Sequence, residues 1–418
     1  MPACPSSPIT LLAERIGPTP DGVVGAGEDE VGTAAPADLL AALGRVPDPR
    51  ARRGVRHRLV TVLAVAVCAV LAGARSYVAV AEWAHDLPIG VGVRLGLSLR
   101  RRPPSESTIR RVLQKLDPEA LDRIVSAWLA DRAAAARSAP PSPPSSRLVV
   151  SPAPSAPRAI AVDGKTARGA HRADGSAVHL LAALDQASGV VLGQSVVDAK
   201  TNEITAFAPL LARVDITGAV ITCDALHTQD GHADYLHQRG AHYVFVVKRN
   251  RPKLHAQLAE LPWRDIPAVD RSRDTGHGRT ESRTIKLAAI TGGSSGGILF
   301  PHARLAIQIA RRRRITTTGH AHRETVYAVT DLSCHQIRAD HLAQIIRGHW
   351  HVENRLHWIR DVVFAEDLSQ IRTGHGPANM ATLRNLALSR HRLAGATNIA
   401  AACRHVSRHP NRVLPLLT

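Results

Sequence analysis

The chain has 418 residues, 44% hydrophobic but only 3% aromatic, and its 53 Lys and Arg outnumber 35 Asp and Glu to give a formal charge of +18. That length predicts one large domain with a smaller one, cored by Ala, Val, Leu and Ile. The charge favours a polyanionic partner, nucleic acid first, although a biased genome would leave a similar mark, while five scattered cysteines with no C-x-x-C pair exclude a zinc knuckle or disulfide framework and fit a reducing cytoplasm.

Residues 1–36, rich in Gly, Pro and Ala, read as a flexible leader without the basic start and apolar core of a secretory signal. From 37 to 137 the pattern is helical, through ADLLAALGRV, YVAVAEWAHDL, STIRRVLQKL and PEALDRIVSAWLADRAA, which predicts a small all-α module. The membrane-like run LVTVLAVAVCAVLAGA has 16 residues, short of the roughly 20 needed to span a bilayer, so a buried helix and no membrane association are expected. Arginines cluster in RVPDPRARRGVRHR (45–58) and RRRPPSESTIRR (100–111). Ser107 is expected to precede a short helix exposing Arg110 and Arg111 to a DNA backbone, with a solvated charged face as the plain alternative. Residues 138–157, SAPPSPPSSRLVVSPAPSAP, form a Pro/Ser linker.

Beyond it lies the expected large domain, 158–395, followed by a tail, 396–418. RAIAVDG (158–164), AVHLLAAL (177–184) and VVLGQSVV (190–197) predict three antiparallel strands joined at Asp174-Gly175 and Ser188-Gly189. A helix capped by Asn202 follows, then a strand at 218–223, a helix at 229–239 and a strand at 241–247. This is the element order of an α/β, RNase H-like core. Residues 249–336 interrupt it as a β-rich insertion, and a closing helix is expected from 339 to about 364, with Asp340 as a candidate cap.

In that order Asp163 closes the first strand, Asp224 closes the fourth and Glu353 lies mid-helix. At 100° per residue, Ile345, Val352, Leu356, Ile359 and Val363 form an apolar stripe with Glu353 at its rim, and His349, His357 and Arg360 fall within about 40° of the acid. Clustered carboxylates repel unless cations neutralise them, and Mg²⁺ prefers such oxygen ligands together with phosphates. Taken singly, each aspartate also fits a turn former, and Glu353 a partner of Arg347 or Arg360. Taken jointly, the three point to metal-dependent phosphodiester chemistry.

The motifs AVDGKTARGA (161–170), KTNEITAFAPLL with GAVITCDALHTQ (200–229), HGRTESR (277–283) and IRGHWHVENRLHWIRDVVFAEDLSQIRTGHGPANMATLRNLAL (346–388) carry a family resemblance. The chain resembles the DDE transposases of the H-repeat-associated, or ISAs, insertion-sequence group, and PDPRARRGVRHRL and PSESTIRRVL resemble that family's N-terminal module. The resemblance implies that Asp163, Asp224 and Glu353 are the DDE triad, holding two Mg²⁺ (or Mn²⁺) ions for cleavage at element ends and strand transfer into target DNA. It also implies terminal inverted repeats and target DNA as partners, a homo-oligomer (a dimer in the first instance) that brings two ends together, and a cytoplasmic, nucleoid-associated location. Candidate DNA contacts are Lys165, Arg168, Lys248, Arg347, His349, His357 and Arg360. Where other insertion-sequence families place Tyr, Arg and Lys around the glutamate, this chain has Ile346, His349 and Arg360. A nuclease or resolvase without strand transfer, and a non-catalytic DNA-binding remnant, are the alternatives.

Other motifs lead nowhere. Asp274-Thr275-Gly276 is flanked by arginines where an aspartic protease needs apolar strand; Gly164-Lys165-Thr166 has Ala159 where a P-loop requires glycine; and His351 and His357 are six apart, not the four of a helical zinc site. Arg311 to Arg314 read equally as a phosphate-binding run or a solvated loop, and Trp350 and Trp358 as base-stacking or packed side chains.

Overall fold

A computed structural model describes residues 38–53, 55–138, 156–171, 175, 177–197, 202–276, 278–290 and 297–418; the leader and most of the linker lie outside these. The first described stretch forms six helices: α1 (Leu39–Leu43), α2 (Leu59–Leu71), α3 (Tyr77–His85), α4 (Ile89–Arg94), α5 (Glu106–Lys115) and α6 (Pro118–Ser138). Asp38 and Ser76 cap α1 and α3 by accepting the amides of Leu40 and Ala79. Apart from Val60, every residue of α2 is buried, the burial its all-round apolarity demands. Among the described residues no helix is long and apolar enough to cross a membrane. In α5 it is Ser105, not Ser107, that stands at the N-cap position. Arg110 and Arg111 are exposed as expected, and Arg101 donates to the Arg56 carbonyl, which joins the two arginine clusters.

The strands form one nine-stranded sheet, in the order β3-β2-β1-β4-β5-β9-β8-β7-β6. β1 (Ala159–His171), β2 (Ala177–Asp185) and β3 (Val191–Val197) are antiparallel, with Gly189 at φ +68° in the turn between the last two. α7 (Glu203–Ala212), capped by Asn202 as expected, crosses to β4 (Val220–Cys223), and α8 (Asp230–Gln238) crosses to β5 (His242–Val247). β4 runs parallel to both β1 and β5, and its buried VITC suits a strand covered on both faces.

After α9 (Pro252–Ala259) come β6 (Ala268–Gly276), β7 (Arg279–Ala289), β8 (Leu305–Ile315) and β9 (Ala321–Thr330), an antiparallel series. β9 pairs with β5 from Val244↔Thr330 to Val247↔Tyr327, so the strands of the expected β-rich insertion continue the sheet.

The closing helix is not continuous. α10 (Ala339–Gly348) ends in a turn at His349 and Trp350; Glu353–His357 then form a π-helical turn that leads into α11 (Trp358–Val362). Asp340 is no cap: it lies in the first turn of α10 and binds the Arg338 guanidinium. The apolar stripe of Ile345, Val352, Leu356, Ile359 and Val363 is buried as the periodicity requires. α12 (Gly376–Leu393) packs against α2, α5, α6 and β3, and α13 (Ile399–Ser407) follows it. A single hydrophobic cluster therefore runs from Leu63 and Trp128 through Ile160 and Leu181 to Leu383 and Leu386.

Candidate active site

Parallel pairing of β1 with β4 ends at Val162↔Cys223. Asp163 and Asp224 directly follow this last pair, so the two chains enter these positions from backbones about 5 Å apart. The sequence places Asp163 at the close of β1, but the strand runs on beside β2 to His171, so Asp163 lies within it. Asp224 begins a 3₁₀ turn and uses Oδ1 to accept the Leu226 amide at 3.0 Å.

Glu353 heads the π-turn, in which the Trp358 amide donates to the Glu353 carbonyl five residues back. Such turns often occur at functional sites. Here the turn keeps His357 beside Glu353, with Nδ1 3.2 Å from Glu353 Oε2 and 3.7 Å from Asp163 Oδ2. One ligand atom from each of Asp163, Glu353 and His357 lies within 4.8 Å of the others; Asp224 is outside that group but close enough to act on Asp163 through its charge.

Burial pushes the Asp163 carboxyl up to about 6; His357 works against this, while Asp224 and Glu203 reinforce it. The hydrogen bond from His357 holds Glu353 below the usual range. A divalent cation fits this donor set. It would relieve an ionised carboxylate that the protein alone disfavours, and His357 Nε2 is buried without a partner among the described residues.

Glu203 is a fourth carboxylate that the sequence did not single out. It accepts from His179 Nε2 at 2.7 Å and lies 3.1 Å from His227 Nε2. Burial would raise its pKa, but the two imidazoles hold it at about 2. It presses on Gly164, where an added Cβ would stand 2.3 Å from Glu203 Oε1. Its sequence signals are its place after Asn202 at a helix start and its position within the KTNEITAFAPLL motif.

The expected DNA contacts divide. Arg168 has 81% of its side chain exposed although Asp367 lies 3.8 Å away, and Lys248 is exposed at the end of β5. Lys165 is buried and binds Asp361 at 2.7 Å, with Asp367 at 3.5 Å. Arg347 binds Asp270 at 2.8 Å. His349 hydrogen-bonds Thr222 Oγ1 at 3.1 Å, and burial pushes its imidazole down to about 4, which leaves it neutral at pH 7.

Arg360, expected on the polar ridge, is fully buried, and His357 is 4% exposed, so neither presents a surface to DNA. The wider π-turn advances the chain by less than 100° per residue and turns Arg360 inward. There it binds Glu366 at 2.6 Å and Gln194 at 3.1 Å, and Arg384 approaches the same carboxylate at 3.0 Å. Trp350 and Trp358 are more than half exposed rather than packed.

The family model described as "Transposase DDE domain" matches residues 154–390, and one described as "DDE_Tnp_1-associated" matches residues 40–129. The chain belongs to the DDE transposase domain family. It is similar to "H repeat-associated putative transposase YhhI" of Escherichia coli strain K12, at 28% identity over 365 residues, 84% of this chain and 89% of that one. YncI of Escherichia coli O157:H7, which also carries the transposase name, is 28% identical over 371 residues, 84% of this chain and 86% of that one. The resemblance to H-repeat-associated proteins is thus borne out. A solved synaptic complex of piggyBac transposase with hairpin DNA aligns with a TM-score of 0.39 at 10% identity, over 91% of this chain and 77% of that one, too distant a likeness to carry an argument.

Proposed function

We propose that the chain cleaves DNA at the ends of an insertion sequence and joins the freed ends to target DNA, through an RNase H-like core in residues 158–395 that uses Asp163, Asp224 and Glu353. The observation that carries the reading is the meeting of Asp163 and Glu353 around His357, at the strand end where Asp224 follows β4. The sheet order β3-β2-β1-β4-β5, with β1, β4 and β5 parallel, supports the core assignment.

Two Mg²⁺ (or Mn²⁺) ions held by the three carboxylates would, when bound, acidify an attacking hydroxyl and offset charge on the phosphodiester. The chain's own residues fix the setting. His357 orients Glu353 toward Asp163, and the π-turn aims both. Lys165 holds Asp361 and Asp367 beside the site, so its charge steadies the wall. Arg168 and Lys248 remain open to DNA phosphates, and the helices of residues 37–137, with their joined arginine clusters, bind DNA away from the reacting bond. The protein works as a homo-oligomer, a dimer in the first instance, on chromosomal DNA in the cytoplasm.

The test is an assay of the full chain with end-labelled duplex carrying the inverted repeat of its own element, in Mg²⁺. Cleaved ends and joined products are expected from the parent and neither from Asp224→Asn. Cleavage without joining would leave a nuclease or resolvase, and unchanged cleavage by Asp224→Asn would refute the assignment.

A further inference from the structure

β9 outruns β5. Their pairing ends at Val247↔Tyr327, and residues 321–326 continue beyond it, as do 309–315 of β8, 279–284 of β7 and 271–276 of β6. Because β5 runs parallel to β4, this four-stranded blade projects from the sheet edge that carries Asp163 and Asp224. Six residues at about 3.3 Å each give it a reach of roughly 20 Å.

Residues paired directly across antiparallel strands share a face. One row is Arg273↔Ser282↔Arg312↔Arg323; the rows on either side on that face are Arg271↔Thr284↔Ala310↔Thr325 and Thr275↔Thr280↔Arg314↔Ala321. This face thus holds five exposed arginines among Ser, Thr and Ala, with no carboxylate. Among the described residues none of the five has an ion pair.

The other face is arranged differently. Arg279, Arg283, Arg311 and Arg313 share it with Asp270, Asp274, Glu281 and Glu324. Glu281 alone takes Arg283 at 2.5 Å, Arg311 at 2.7 Å and Arg313 at 3.7 Å. The same four strands therefore neutralise one face internally and leave the other uncompensated. Like charges directly opposite each other, as at Arg312↔Arg323, destabilise a sheet until an anion lies over them.

We infer that the Arg271, Arg273, Arg312, Arg314 and Arg323 face of the blade binds the phosphate backbone of duplex DNA, without reading its sequence, beside the catalytic edge. This rests on the reading of the chain as acting on DNA. A flat, uniformly basic surface of this reach complements a rod of regularly spaced phosphates, and guanidinium forks suit phosphate oxygens.

The test measures binding of the full chain to a 30-base-pair duplex of scrambled sequence across a salt series. The comparison is among the parent, the triple variant Arg312→Gln/Arg314→Gln/Arg323→Gln, and Arg279→Gln on the opposite face, with melting of each protein followed in parallel. Each phosphate contact contributes about −0.9 to the slope of log affinity against log salt. The triple variant should show a slope shallower by about two to three and an affinity about a hundredfold lower near 0.1 M salt, with melting no lower than the parent's because the Arg312↔Arg323 repulsion is relieved, while Arg279→Gln stays close to the parent. An unchanged slope, or an equal loss in Arg279→Gln, overturns the inference and leaves the cleavage reading untouched. A parent that cuts no DNA yet shows the slope difference overturns the cleavage reading and leaves this surface standing.

Discussion

The imidazole of His357 and the carboxylate of Glu353 are bonded to each other across one π-turn, at 3.2 Å, with Asp163 3.7 Å from the same ring nitrogen. A residue that orients a metal-holding carboxylate typically contributes about 10- to 100-fold in metal affinity or activity. His357→Ala is therefore expected to lower end cleavage by about that factor and to raise the Mg²⁺ concentration for half-maximal rate. His357→Gln, which keeps a hydrogen-bonding group, should recover part of the loss. A Mg²⁺ titration of cleavage checks this, and an unshifted half-maximum in His357→Ala would exclude the role.

Asp163 makes stability depend on pH. Its pKa rises from 3.8 to about 6 on folding, so the folded protein holds the proton more tightly and stability falls as pH rises through that window. At pH 7.5 the ionised group costs about 2 to 3 kcal/mol without a cation. Asp163→Asn should raise the melting midpoint at pH 7.5 and give a shrinking gain toward pH 4. Added Mg²⁺ should raise the parent's midpoint more than the variant's. Thermal melts across this pH range, with and without Mg²⁺, decide the matter.

Gly164→Ala tests the packing behind Asp163. The new methyl would meet Glu203, which His179 and His227 hold in place, so the backbone next to Asp163 must yield. Displacement of a reacting group by about 1 Å commonly costs on the order of 100-fold in rate. Cleavage should fall by about that much, while DNA affinity, measured at constant salt, stays near the parent value.

Glu366 joins Arg360 and Arg384 in a fully buried cluster. Burial alone would raise its pKa, but the two guanidiniums hold it at about 2, so its contribution to stability is present above about pH 4.5 and is lost as pH falls toward 2. Removing one member of a buried ion cluster leaves uncompensated charge and costs about 3 to 5 kcal/mol. Glu366→Gln should show that loss in urea unfolding at pH 7; a change under about 1 kcal/mol would contradict it.

The elements that local chemistry specifies were legible in the sequence. β2, β3, α7, α8 and β5 fall within two residues of their expected bounds, because short apolar runs, Asn202 and the Ser188-Gly189 turn act over short range. What depended on distant partners was not legible. Nothing local says that Tyr327 will meet Val247, so how the β-rich insertion joins the sheet was not readable. Lys165 and Arg360 looked like DNA contacts because Asp361 and Glu366, which neutralise them, meet them only in the folded chain. Glu203 sat in the KTNEITAFAPLL motif with nothing to set it apart as part of the acidic centre, and the π-turn is invisible to a rule of constant rotation. Asp163, Asp224 and Glu353 were legible as candidates because fold order alone predicts where strand ends and a covering helix converge.

α12 bears on how this protein can be divided. Its Leu383, Leu386 and Leu388 are buried in one core with α2, α5 and α6 as well as with the sheet. A fragment beginning at residue 158 would retain every acidic group of the proposed centre yet leave this greasy helix bare on one flank. Its fate would be aggregation, and activity lost on trimming the amino-terminal third would reflect a broken scaffold before any missing DNA contact.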